Sequence, residues 1–211
     1  MLLFTEKQLW CACLKGDSRA FDRFYTIYYP LLYNYGCKFT SDKDLVRDCI
    51  QNLFVKLIQS HKSLSDTPSV KGYMLRAFRN HLYDALRSKT VHNELFQPCI
   101  DSILNFEQNS FLCITEDEES ENIDAVRHAF RKLSPRQQEI IYLYYIADAS
   151  HKEIAVTLNI NYQSSKNLLH RSLDQLKTLF HQERGTDKEK INIEETLKID
   201  LREYQSSPSP Y

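Results

Sequence analysis

The chain reads as an all-α protein made of two small helical domains joined by a flexible acidic linker. Three observations lead there. Only 4 glycines and 6 prolines occur in 211 residues, too few for the many tight turns of an all-β fold. Apolar residues recur at helical spacing through two long blocks. Charge is segregated although the net is −1: residues 1–90 carry 14 Lys/Arg against 8 Asp/Glu, 91–124 carry 9 Asp/Glu and no Lys/Arg, and 125–184 carry 9 Lys/Arg against 5 Asp/Glu. The expected layout is a first domain over 1–90, an acidic linker over 91–122, a second domain over 123–182 and a polar tail over 183–211.

The first block should hold three or four helices. Asp17 opens DSRAFDRFYTIYYPLLYNYGCKF, where Ala20, Phe21, Phe24, Tyr28, Leu31, Leu32 and Tyr35 fall on one face, and Pro30 is expected to bend or divide the helix. Thr40 or Ser41 would cap the next helix, DLVRDCIQNLFVKLIQS, which packs through Leu45, Cys49, Ile50, Leu53, Leu57 and Ile58. HKSLSDTPS is a loop by composition. In YMLRAFRNHLYDALR, Met74, Leu75, Phe78, Leu82, Ala85 and Leu86 form a core stripe. Arg76, Arg79, Asn80, Tyr83 and Arg87 gather on the opposite side, where a solvated face would more usually mix Glu and Lys.

Residues 88–122 turn acidic and irregular, ending in TEDEESE, as a linker does. The second block begins near Ile123 with AVRHAFRKL and continues in SPRQQEIIYLYYIA, whose Ser-Pro suits a cap and first helical position. SHKEIAVTLNINYQSSKNLLHRSL has the rhythm of a helix-turn-helix. Ile154, Ala155 and Leu158 face inward, Asn159 occupies the left-handed turn, and Leu168, Leu169, Leu173 and Leu176 line the second helix. Gln163, Lys166, Asn167 and His170 share its exposed side, with Ser164 and Arg171 adjoining. Amides and basic groups of this kind suit a DNA major groove, although a plain helical hairpin with a polar outer face has the same pattern.

Six cysteines (11, 13, 37, 49, 99 and 113) contain no CxxC pair, so no metal site is expected and the thiols should be reduced. MLLFTEKQLW lacks the early basic cluster of a signal peptide, and no run of about 20 apolar residues is long enough to span a bilayer. A cytoplasmic protein is expected. No P-loop and no HExxH occur, so neither an enzyme, a cofactor nor a small-molecule substrate is expected.

GDSRAFDRFY, DLVRDCIQNLFVKL, YMLRAFRNHLYDALR, an acidic linker, LSPRQQEIIYLYY and HKEIA…LNI…SSK…LHRSLDQL follow one another in that order. Over residues 8–180 this resembles the extracytoplasmic-function (ECF) sigma factors of bacterial RNA polymerase, most nearly the branch common in Bacteroidetes, whose recognition helices are worded like NYQS…KNLLHR. The resemblance implies a sigma region two followed by a sigma region four. The family's DxxQxxF motif, here Asp48, Gln51 and Phe54, would bind the clamp helices of the polymerase's largest subunit, with Asn52 standing where an acidic residue is usual. Arg76, Arg79, Asn80, Tyr83 and Arg87 would meet promoter DNA around the −10 element, and the loop 61–69 would capture a flipped base. Gln163, Ser164, Lys166, Asn167, His170 and Arg171 would read the −35 element, while the same domain holds the flap of the second-largest subunit. Family members are commonly restrained by an anti-sigma factor, often membrane-anchored. Departures from the family pattern are Ser134 for Pro, Gln138 for Arg, Asn159 for Gly and Ser165 for Val. A stand-alone helix-turn-helix regulator and a diverged sigma-like adaptor are the alternative functions, and the clamp motif argues against the first.

Overall fold

The structure, a computed structural model, describes residues 5–92, 125–126 and 128–184. The expected acidic linker and polar tail, Cys99 and Cys113 among them, lie outside the described residues. The helices are α1 (Glu6–Leu14), α2 (Ser18–Gly36), α3 (Lys43–Ser60), a 3-10 turn (His61–Ser63), α4 (Val70–His92), α5 (Pro135–Tyr145), α6 (His151–Leu158) and α7 (Tyr162–Arg184). Residues 128–131 are helical too, and no strand occurs among the described residues. These residues form two compact units, one of 5–92 with 152–161 and one of 125–126, 128–151 and 162–184.

Helix α1 is set by a capping box: the Gln8 N–H donates to Thr5 Oγ1 at 3.3 Å and the Thr5 N–H donates to Gln8 Oε1 at 2.9 Å. It buries Leu9, Trp10 and Cys13, with the Trp10 ring 5.6 Å from Phe24 and 5.4 Å from Tyr73. The Tyr28 hydroxyl donates to the Glu6 carboxylate and so ties α1 to α2. Gly16 turns the chain between these helices at φ +84°, a left-handed conformation that side chains rarely adopt. Asp17 then caps α2, accepting from the N–H groups of Arg19 and Ala20.

Pro30 lies inside α2 and does not divide it. Its ring is exposed, and the core residues Phe24, Tyr28, Leu32 and Tyr35 hold the helix on both sides of it. The cap of α3 is Asp42, not Thr40 or Ser41: Asp42 Oδ1 accepts from the Leu45 N–H at 2.9 Å, and Thr40 Oγ1 accepts from the Asp42 N–H. Helix α3 buries Leu45, Val46, Cys49, Ile50, Leu53, Phe54 and Leu57, whereas Ile58 is 47% exposed. One residue beyond Leu57, Ile58 is rotated about 100° away from the seam. In α4 the stripe Met74, Leu75, Phe78 and Leu82 is buried, with Ala85 and Leu86 half-buried at its end.

In the second unit Ser134 caps α5, its backbone N–H bonded to Gln137 Oε1. Gln138, which stands where the family usually has Arg, is buried. Its Nε2 donates to the carbonyls of Phe130, Arg131 and Leu133 at 3.1, 3.3 and 2.9 Å. Those oxygens lie at and just beyond the end of the preceding helical stretch, where carbonyls run short of intrahelical donors. Gln138 is a structural clasp in this chain. Helix α7 packs on α5 through Leu169, Leu176 and Phe180, with Ser165 and Ser172 buried as well; Leu168 and Leu173 are only half-buried.

Helix α6 ends as the sequence suggests. Asn159 has φ +53°, the Asn159 N–H donates to the Val156 carbonyl, and the Ile160 N–H donates to the Ala155 carbonyl at 2.9 Å. This is a Schellman closure with Asn in the place that glycine often takes.

Gly36 generates a prediction for the first unit. A Cβ added there would stand 2.7 Å from Val46 and 2.8 Å from the Phe78 ring. Gly36→Ala should therefore destabilise the chain by about 1–3 kcal/mol, measured by urea unfolding.

Candidate functional site

Three helical faces carry the expected functional side chains. On α3, Asp48, Gln51 and Asn52 are exposed along one edge, and Val55, 42% exposed, continues it. Phe54 does not belong to that surface. It is 5% exposed, with ring centroids 6.2 Å from Phe24 and 4.8 Å from Tyr25, so it supports the edge from beneath. Beside α3 runs an aromatic column on α2: Tyr25 and Tyr29 are 5.3 Å apart, and Tyr29 and Tyr33 stack at 5.8 Å. Arg47 lies 5.9 Å from the Tyr33 ring while its Nη1 bonds Asp44 at 2.6 Å.

On α4, Arg76, Asn80 and Arg87 are exposed, but Arg79 and Tyr83 are a packed pair. The Arg79 guanidinium sits 4.5 Å over the Tyr83 ring and Nη2 donates to the Tyr83 hydroxyl at 3.4 Å. Tyr83 in turn meets Phe39 edge-on at 5.7 Å. The pair holds a ring at the surface in one orientation, which suits stacking against a base better than a freely turning side chain. The preceding loop is tied down by local bonds. His61 Nδ1 is 2.7 Å from the Ile58 carbonyl, and the Gly72 N–H donates to Ser69 Oγ at 3.0 Å to open α4.

On α7, Gln163, Lys166, Asn167, His170 and Arg171 are exposed and Ser164 is half-buried. Gln163 Nε2 donates to Asn167 Oδ1 at 3.0 Å, and Lys166 stands 5.5 Å over the Tyr162 ring. His170 turns along the helix to Asp174, Nδ1 to Oδ2 2.7 Å, and so points away from the other four. Arg171 Nε donates to the Asn167 carbonyl. Sequence reasoning missed His151, which meets Tyr144 at 5.2 Å and Tyr162 at 6.1 Å and is hydrogen-bonded through Nδ1 to Ser165 Oγ at 3.1 Å. Its only sequence signal is a ring at the start of one helix and a small hydroxyl 14 residues on.

Among the described residues no group of three or more His, Cys, Asp or Glu is placed to hold a metal ion, and no helix is long and apolar enough to cross a membrane. Cys13 and Cys49 pack in helix stripes, and burial, helped by Asp17, pushes the Cys13 thiol up to about 11.

The family models for Sigma-70 region 2 and Sigma-70, region 4 match residues 24–91 and 123–176, together more than half of the chain and in that order. The chain belongs to the sigma-70 family. It is an RNA polymerase sigma factor. Similar proteins include the ECF RNA polymerase sigma factor SigM of Bacillus subtilis (strain 168), 25% identical over 168 residues, which span 80% of this chain and 98% of SigM. RNA polymerase sigma factor SigZ of the same organism is 24% identical over 139 residues, 66% of this chain and 74% of SigZ. Among solved structures, CnrH in complex with the cytosolic domain of CnrY has a TM-score of 0.57 at 17% identity, covering 84% of this chain and 97% of CnrH. The sigma factor RpoE in complex with the anti-sigma factor NepR from Bartonella quintana has a TM-score of 0.53 at 19% identity, covering 76% and 96%. At these identities the structural likeness speaks to the fold. This sigma factor thus carries its acidic-polar edge and basic-aromatic face within region two and its helix-turn-helix within region four.

His151 makes the second unit sensitive to pH. Burial, with a smaller contribution from Lys166, lowers its pKa, so the folded state favours the neutral ring. The associated stability is present above the ordinary histidine range and is lost as pH falls through the lowered value. The stability gap between wild type and His151→Phe should therefore narrow from pH 7.5 to pH 5, read by urea unfolding followed by circular dichroism.

Proposed function

We propose that this sigma factor grips core polymerase through the Asp48–Gln51–Asn52 edge of α3, backed by Phe54, and meets the −10 element with α4 and the −35 element with α7. The observation that carries the reading is the division of labour between α3 and α4. The Asp48–Gln51–Asn52 edge of the first helix is acidic or amide, while Arg76, Arg79, Tyr83 and Arg87 of the second are basic or aromatic, and both helices stand on one packed core. Carboxylate and amide groups suit a basic helical partner such as the clamp of the largest polymerase subunit. Arg76 and Arg87 can neutralise phosphates, while Asn80 and the Arg79–Tyr83 pair offer a hydrogen-bonding group and a fixed ring to unpaired bases.

On α7, Gln163, Lys166 and Asn167 are spaced to reach base edges, Arg171 lies toward the backbone side, Ser164 flanks them, and His170 is held by Asp174 until DNA competes for it. Region two would occupy 1–90 and region four 123–182, with the flap of the second-largest subunit on region four. The chain itself performs no catalysis, because polymerase supplies the chemistry. An anti-sigma factor is a further partner: RpoE was solved with the anti-sigma factor NepR, and CnrH with the cytosolic domain of CnrY. Assignment to the Bacteroidetes-like branch rests on the wording of the recognition helix alone.

Two experiments test this. Asp48→Ala with Gln51→Ala should weaken binding to purified bacterial core polymerase by about 10-fold or more with the fold intact. Unchanged core binding would remove the α3 edge from the interface. In the holoenzyme, Arg76→Ala with Arg87→Ala should make promoter binding less salt-dependent, lowering the slope of log K against log salt by about 1.5. A slope equal to that of wild type would place α4 away from the phosphates.

A further inference from the structure

The first turn of α7 carries Tyr162, Gln163 and Ser164 on its outer side, and its first fully buried residue is Ser165, 0% exposed. The next buried side chain is Leu169, one helical turn or about 6 Å further on. Gln163, Lys166 and Asn167 all lie within two residues of Ser165, so whatever holds Ser165 sets their direction. Ser165 is too small to fill a core site as a branched apolar side chain does, and its hydroxyl needs a partner when buried. The partner is His151. The same ring packs against Tyr144 at the end of α5 and against Tyr162 at the start of α7.

We propose that His151 is a positioning residue for promoter recognition: hydrogen-bonded to Ser165 and seated between Tyr144 and Tyr162, it sets the angle at which Gln163, Lys166 and Asn167 meet the bases. The proposal rests on the reading of α7 as the −35 helix. Removing His151 leaves the buried Ser165 hydroxyl without its hydrogen bond, and removing Ser165 leaves the half-buried ring without the bond that orients it, whereas removing both leaves two apolar groups in contact. The two side chains should therefore act as one unit in DNA discrimination.

The test uses full-length chain assembled with bacterial core polymerase and a duplex that the wild-type holoenzyme selects from a random-sequence library. The readout is the ratio of affinities for that duplex and for one scrambled at the −35 element. His151→Phe and Ser165→Val should each lower the ratio about 5-fold or more while leaving affinity for the scrambled duplex near wild type. The double variant should lose no more than either single one. His151→Asn, whose amide can take the place of Nδ1 toward Ser165, should keep the ratio within about 2-fold of wild type. Losses that multiply in the double variant, or a ratio unchanged in both singles, would overturn the proposal. So would equal losses on both duplexes that His151→Asn shares, which would leave His151 a plain structural role. Lys166→Ala and Asn167→Ala separate the two levels. If they lower the ratio and the His151 variants do not, only the positioning role falls; if they too leave it unchanged, the reading of α7 falls first.

Discussion

Val46 of α3 and the Phe78 ring of α4 meet over Gly36 of α2, at distances that leave no room for a methyl group. This three-way contact sets the geometry of the first unit. Once Phe78 is seated, Met74, Leu75 and Leu82 must also face inward, because they share its helical stripe. Arg76, Asn80 and Arg87 are then obliged to face out. The same logic turns α3. With Val46, Ile50, Leu53 and Leu57 inside, Asp48, Gln51, Asn52 and Val55 have only the outer side left. Two chemically opposite surfaces thus follow from one close approach at a glycine.

The second unit, and α6 within the first, are organised differently, by polar groups that finish helices. Gln138 gathers the carbonyls of Phe130, Arg131 and Leu133, and Asp148 and Asn159 adopt left-handed conformations after α5 and α6. Short helices have a large share of their backbone groups at their ends, so side-chain closures matter more to them than to long ones. Of the residues that differ from the usual family pattern, Gln138 is therefore accounted for by hydrogen bonding within the fold and Asn159 by its tolerance of a left-handed backbone. Ser165 joins them through its bond to His151.

Much of this was legible before any coordinates. The stripes of α2 and α4, the loop before α4, the Asp17 cap and the left-handed Asn159 all follow from spacing and residue type. Helix α1 was not read from the sequence: its one local signal is the Thr5–Gln8 capping box, and its short stripe gives periodicity little to act on. Packing changes how two of the expected residues are presented: Phe54 is drawn inward by Phe24 and Tyr25, and Arg79 is drawn onto Tyr83. Thr40 and Ser41 lost the α3 cap to Asp42 for a local reason, since the carboxylate stands where the helix begins.

Local periodicity and charge settled the helical class, the order of the faces and the chemistry each presents. Those properties depend on residues within a turn or two of one another, a range over which the chain's geometry is nearly fixed by its backbone. Packing alone settled which of those side chains remain available to a partner. Phe54 beneath the α3 edge, Tyr83 pinned by Phe39 and Arg79, and His151 holding Ser165 each depend on contacts between separate elements. Such contacts leave no repeating pattern along the chain, because the two residues are brought together by the fold and not by their spacing.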